Sequence, residues 1–170
     1  MACVLVDPDI ELRTLINQSA SAVRSIHPEF ADCIARVPDL LDLEVADAAR
    51  EVASMGLIQR ELDEQPYDWP GISPFVIPTV VWSLWSALKA GGDFMEAVLL
   101  AIEPGGDVDT TAAIAGAIAG TRIGRSALPQ NLADLVHDGG SWRADELAVL
   151  GEAVVRRSKA IPHGTRSTRS

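Results

Sequence analysis

The chain has 170 residues, with 24 acidic against 14 basic side chains and a formal net charge of -10. That length buries enough surface for a core without disulfides, and the acidic balance repels a phosphate backbone, so no nucleic acid is expected as a partner. Cys3 and Cys33 stand in a sequence whose apolar start is broken at once by Asp7-Pro8-Asp9; the expectation is no signal peptide, no membrane span, inert thiols and a cytoplasmic setting.

Apolar residues recur at spacings of three and four, and β-branched alternation is nearly absent, which predicts helices throughout. A first helix is expected over about residues 9–26, with Ile10, Leu12, Leu15, Ile16, Ala20 and Val23 near one stripe and His27-Pro28 as its stop. A second opens at Pro28, turns Phe30, Cys33, Ile34 and Val37 inward and stops at Pro38. A third covers about residues 43–55, closed by Gly56. Residues 65–74 pack prolines, glycine and aromatics into a loop. Helical spacing returns over residues 78–90 with Trp82, Trp85 and Leu88, and Gly91-Gly92 closes that segment. Asp93 reads as the N-cap of the next helix, which Pro104-Gly105-Gly106 breaks.

The helix expected over residues 109–123 has an unusual composition, since Ala112, Gly116, Gly120 and Gly124 fall four apart and make a groove for close approach by a neighbour. Each glycine costs about 1 kcal/mol of helix propensity relative to alanine, so packing must offset it and this helix is expected at the centre of the fold. Two more helices follow, over about residues 128–137 and 144–157, the last capped by Ser141 or Arg143, of which serine is chemically the better cap. One all-α domain over residues 1–157 is expected, ending in a disordered basic tail over 158–170.

The chemically pointed segment is Gly105-Gly106-Asp107-Val108-Asp109-Thr110. Two carboxylates and a hydroxyl are ligand types that Mg2+, Mn2+ or Ca2+ prefers, and the glycines let the backbone turn so that both acids face one point at a helix start. Spacing alone is equally met by an ordinary helix start, with Asp109 or Thr110 as N-cap and Asp107 as a solvated loop acid. An EF-hand is excluded, because Ala112 stands where its loop needs glycine and Ile118 where it needs glutamate.

This hexapeptide, followed by Ala112-Ala113-Ile114-Ala115-Gly116-Ala117-Ile118-Ala119-Gly120, then Gly124 and Pro129, resembles the signature of the ADP-ribosylglycohydrolases. Gly71-Ile72-Ser73, the tryptophan helix and Asp93-Phe94-Met95-Glu96-Ala97 stand in the family's order upstream, and the good resemblance covers about residues 70–155. It implies an orthogonal multi-helix bundle and a Mg2+- or Mn2+-dependent hydrolase, with two ions in complete members, that cleaves the glycosidic bond of an ADP-ribosylated protein or small molecule. Asp107, Asp109 and Thr110 fall on the family's C-terminal metal ligands. Ile72, flanked by Gly71 and Ser73, falls on a position that contacts substrate near its adenosine end. Val108 replaces the threonine often found between the aspartates.

The family's other ligands, a Thr/Ser-Asp-Asp cluster, and its glycine-rich diphosphate loop precede this region, and neither cluster sequence occurs in the 170 residues. The expectation is therefore an incomplete site that needs an upstream-half polypeptide. The alternatives are a non-catalytic relative that binds ADP-ribose, or a helical module that buries its exposed face in a homodimer. No catalytic residue is assigned. His27 and His137 read as residues at helix ends interacting with terminal carbonyls, and Trp82 with Trp85 as core; Trp69 is open between an adenine pocket and a cover for the core.

Overall fold

The structure is a computed structural model that describes residues 12–56 and 70–160, with side chains over 13–56 and 70–157. Among the described residues every regular element is helical, and no helix is long and apolar enough to cross a membrane. By internal packing the chain divides into two units, Met1–Ala127 and Leu128–Ser170.

In the first unit, α1 (Leu12–Arg24) buries Leu15, Ile16 and Ala20 at the spacing of one helical face; Ile10 lies outside the described residues. The next helix, α2 (Pro28–Ala35), starts at a proline, whose missing N–H is not needed in a first turn. His27 caps this start: its Nδ1 accepts from the Phe30 N–H at 3.1 Å, rather than the ring meeting carbonyls at the end of α1. Pro38 does not stop the chain's helicity as expected. It occupies the first turn of a short α3 (Val37–Leu40), where proline is tolerated for the same reason. Beyond it α4 (Val45–Ala53) buries Ala48, Ala49 and Val52.

The Trp-bearing helix, α5 (Val76–Lys89), begins two residues before Pro78, which again falls among the first N–H positions that no helical carbonyl serves. It is the centre of the unit, with every residue from Val81 to Ala87 buried. Trp82 and Trp85 have no exposed surface and stack with ring centroids 4.5 Å apart. Each indole N–H ties a different segment to α5: Trp82 Nε1 donates to Ala101 O at 3.0 Å, Trp85 Nε1 to Leu40 O at 2.8 Å. Full burial of such rings contributes at least about 2 kcal/mol apiece, and their N–H groups are satisfied, which a dry core demands.

Asp93 caps α6 (Phe94–Ile102) as expected, its carboxylate accepting from the Glu96 N–H at 3.0 Å. The glycine-rich helix, α7 (Val108–Ile123), packs on α5 and α6 by one face only, burying Thr111, Ala115, Gly116, Ile118 and Ala119. It is thus not the central helix. Its small residues shape a contact with α6, and a Cβ built on Gly116 would lie 3.5 Å from Phe94 and from Val98, which is ordinary van der Waals contact.

In the second unit the helix expected over 128–137 is reduced to α8 (Gln130–Ala133). The Leu135 and Val136 N–H groups bond to Leu132 O and Ala133 O, three residues back, so the turn tightens and ends. The Asp138 carboxylate then gathers the N–H groups of Gly140, Ser141 and Trp142 at 3.2, 2.7 and 2.8 Å. Ser141 is therefore committed to this loop and does not cap the last helix, α9 (Ala144–Ala160). Arg143 stands there instead, its N–H donating to Glu146 Oε2 at 2.9 Å, one half of a capping box. The helix continues past Ser158, where the tail was expected to begin; residues 161–170 lie outside the described residues.

Candidate functional site

The site is assembled by two loops that meet through their backbones. Pro104-Gly105-Gly106 ends α6, and Ile72 pairs with Gly106 as a parallel bridge: the Ile72 N–H donates to Gly105 O at 3.1 Å and the Asp107 N–H to Ile72 O at 2.8 Å. Such closeness requires glycine on both sides. Gly71 (φ +80) and Gly106 (φ +88) adopt left-handed conformations, and a Cβ on Gly71 would strike the carbonyl oxygens of Pro104 and Gly105, while one on Gly106 would strike the backbone of Ile72. The glycines of Gly71-Ile72-Ser73 and of Gly105-Gly106-Asp107 thus perform one task from two places in the sequence.

The bridge delivers Asp107 to the mouth of α7. The helix starts at Val108, one residue earlier than expected, so Asp109 and Thr110 lie in its first turn and neither is the N-cap residue. Asp107 holds that position, yet its carboxylate makes no hydrogen bond to a backbone N–H of the helix. Its Oδ1 accepts from Thr110 Oγ1 at 2.9 Å instead. The Asp109 carboxyl is held below its ordinary value of 3.8, first by a hydrogen bond with the Asp107 side chain and then by its own N–H and that of Thr110. Asp107 and Asp109 thus stand together at the N-terminal end of a 16-residue helix, where the backbone dipoles favour negative charge. Asp109 and Thr110 are exposed and Asp107 is half-buried.

A residue that the sequence reading passes over anchors this turn from beneath. Thr111 is fully buried, and its Oγ1 lies within reach of Asp107 O (3.0 Å), Ala101 O (3.3 Å) and Val108 O (3.3 Å). From α5, Ser83 Oγ lies 3.1 Å from Thr111 O and 2.7 Å from Thr79 O, and Thr79 Oγ1 donates to Ser73 O at 3.0 Å. The Ser/Thr content of an otherwise apolar α5 is the signal for this ladder of hydroxyls, which ties the two loops to the core.

Of the residues expected to meet substrate, Ile72 is fully buried and meets the site through its backbone. Ser73 is 5% exposed, and its Oγ has no hydrogen-bond partner. Standing one position beyond the parallel bridge, Ser73 runs alongside Asp107, and an unpaired buried hydroxyl costs about 1–3 kcal/mol. His27 and His137 are placed elsewhere, as acceptors for the N–H groups of Phe30 and Gly139. Trp69 lies outside the described residues.

In kind, the donor set fits a hard divalent cation: two carboxylates and a hydroxyl that donates to Asp107 and keeps its lone pairs. In number it is small. Among the described residues no three His, Cys, Asp or Glu side chains gather where a metal ion would be held.

A family model described as ADP-ribosylglycohydrolase matches residues 1–162. The match reaches well beyond the residues 70–155 that carry the resemblance, back to the start of the sequence. Neither the curated proteins nor the solved structures give a match to this chain.

Proposed function

The chain belongs to the ADP-ribosylglycohydrolase family, and from that premise we propose that it acts on ADP-ribosylated substrates through a Mg2+ or Mn2+ site to which it contributes Asp107, Asp109 and Thr110. The observation that carries this reading is the hydrogen bond of Thr110 Oγ1 to Asp107 Oδ1 at the start of α7, with Asp109 in the same first turn. Two acids in one helix turn add negative charge that a bound cation would offset. Asp107, Asp109 and Thr110 would hold such an ion, which would supply Lewis-acid charge at the reacting bond.

The remaining work falls to the chain itself. The Thr110 hydroxyl fixes the rotamer of Asp107, and the Thr111 ladder fixes the backbone from which both acids project. Gly71, half-buried, is the part of the neighbouring loop that can face substrate, while Ile72 spends its N–H and carbonyl on the bridge to Gly105 and Asp107, and Ser73 lies buried beneath. Hydrolysis then adds water across the glycosidic bond, giving free ADP-ribose and the acceptor.

The test is release of ADP-ribose from arginine- and serine-ADP-ribosylated peptides. Release that depends on Mg2+ or Mn2+ and disappears in Asp107→Ala is expected. Release that survives chelation and the substitution would overturn the reading. The small donor set favours a second one, a non-catalytic relative that keeps the ligand: calorimetry would give ADP-ribose binding with no turnover under any divalent ion.

A further inference from the structure

The second unit carries an apolar helix face for which its own packing provides no cover. On α9, Leu147, Leu150, Gly151 and Val154 follow the i, i+3, i+4, i+7 spacing of a single helical face. The large members are 45%, 48% and 60% exposed, and Val155 on the same side is 51% exposed. No charged residue interrupts that face. A globular helix ordinarily turns such a stripe inward, and an exposed one marks an interaction surface.

Two further features say what covers it. Charge is divided along the helix: Asp145 and Glu146 stand in its first turn, Arg156 and Arg157 toward its other end. Glu146 and Arg157 flank the apolar stripe on the same side, three turns apart by the helical period. A second α9 laid antiparallel on the first brings the acidic end of each copy against the basic end of the other, twice, by symmetry. Parallel pairing sets like against like. The second feature is Gly151, in the middle of the stripe. A Cβ built there meets nothing within 4 Å among the described residues, so within them the glycine gives up helix propensity without serving a contact. It serves a contact only if another helix crosses close by.

We propose that α9 is a self-association surface, two copies of this chain pairing antiparallel through Leu147, Leu150, Gly151 and Val154, with Glu146 of each copy opposite Arg157 of the other. The arrangement is isologous, as a twofold dimer requires, and the two helix dipoles run in opposite senses, which is favourable.

Light scattering on the full chain over a concentration series tests it. A species of twice the 18.1 kDa chain mass is expected to grow in with concentration. Arg157→Glu places two like-charge pairs in the interface and is expected to raise the dissociation constant by about tenfold or more. Glu146→Arg combined with Arg157→Glu restores the pairs with their signs exchanged, at the loss of the bond from the Arg143 N–H, and is expected to bring association back with the helicity of α9 retained by circular dichroism. Gly151→Leu distinguishes an interface from a folding defect: the added side chain meets open space in one chain, so circular dichroism is expected to show unchanged or greater helicity while the dimer is lost. A strict monomer at every concentration overturns the proposal, as does a dimer that Gly151→Leu leaves intact or a double variant that behaves like Arg157→Glu alone.

Discussion

The backbone N–H of Asp107 donates to the carbonyl oxygen of Ile72 at 2.8 Å, so the first acid of the cluster is tied directly to the other loop on which the family resemblance rests. Whatever displaces Ile72 displaces the first carboxylate of the acidic cluster. Substitutions in either loop should therefore report on the other.

Gly106→Ala tests that coupling most directly. A Cβ there would overlap the backbone of Ile72, whereas Gly105, also left-handed at φ +77, has nothing within 4 Å of its added carbon. Gly105→Ala is expected to cost about 1–2 kcal/mol for the left-handed conformation alone, and Gly106→Ala about 3 kcal/mol or more, because two backbones must separate. Chemical denaturation of the two variants measures the difference. Equal losses would show that the bridge is not tight.

The divalent-ion response separates the acids from the hydroxyl. With Mn2+ present, the wild-type melting temperature is expected to rise, and Asp107→Ala or Asp109→Ala to remove that rise. Thr110→Val keeps both carboxylates and loses only the hydrogen bond to Asp107 Oδ1; it is expected to weaken the Mn2+ response while changing intrinsic stability by less than about 1 kcal/mol, since the bond is exposed. Calorimetric Mn2+ titration provides the check. An undiminished response in Asp107→Ala would remove that residue from the site.

At Gly116 the structure revises what composition suggested. A Cβ there makes ordinary contact with Phe94 and Val98, so Gly116→Ala is expected to stabilise α7 by up to about 1 kcal/mol. The longer Gly116→Leu side chain has no room between α6 and α7 and is expected to cost about 1–3 kcal/mol. Thermal melts ranking alanine above glycine above leucine agree with this packing; a destabilised alanine variant would mean that the helices approach more closely.

Acid should open the loop before α9. Bonds from the Trp142 and Ser141 N–H groups hold Asp138 below its ordinary value of 3.8. A group depressed in the folded state contributes stability above its unfolded value, and loses it as pH falls through the lower, folded one. Amide resonances of Ser141 and Trp142 are therefore expected to stay in place down to about pH 4 and to shift below it. Asp138→Asn keeps an acceptor oxygen and removes the titration, so its resonances are expected not to move with pH.

Helix positions were legible because apolar spacing and end signals are local: Asp93 as a cap, Leu15, Ile16 and Ala20 as one face, and Trp82 with Trp85 as core all follow from neighbours in sequence. Pro38 and Pro78 misled the boundaries, since proline reads as a stop although the first turn of a helix accepts it. The acidic cluster was legible as a string of residue types. Its support was not. The bond from Asp107 to Ile72 spans 35 residues, and Ser83 and Thr111, 28 residues apart, meet only through the packing of α5 against α7. The place of α7 at one side of the tryptophan helix, rather than at the centre, likewise depends on which faces meet, and small residues on every face give no direction.

The stacked indoles of Trp82 and Trp85 have a spectroscopic consequence. Two chromophores stacked with centroids 4.5 Å apart couple their electronic transitions, so the indole contribution to the ultraviolet circular dichroism of the folded chain should change when the stack is broken. Because one ring is bonded to the segment before the acidic cluster and the other to the segment after α2, that signal would fade when either connection loosens, while the helices themselves still absorb as helices. The chain thus carries an internal gauge of its core, readable without a label.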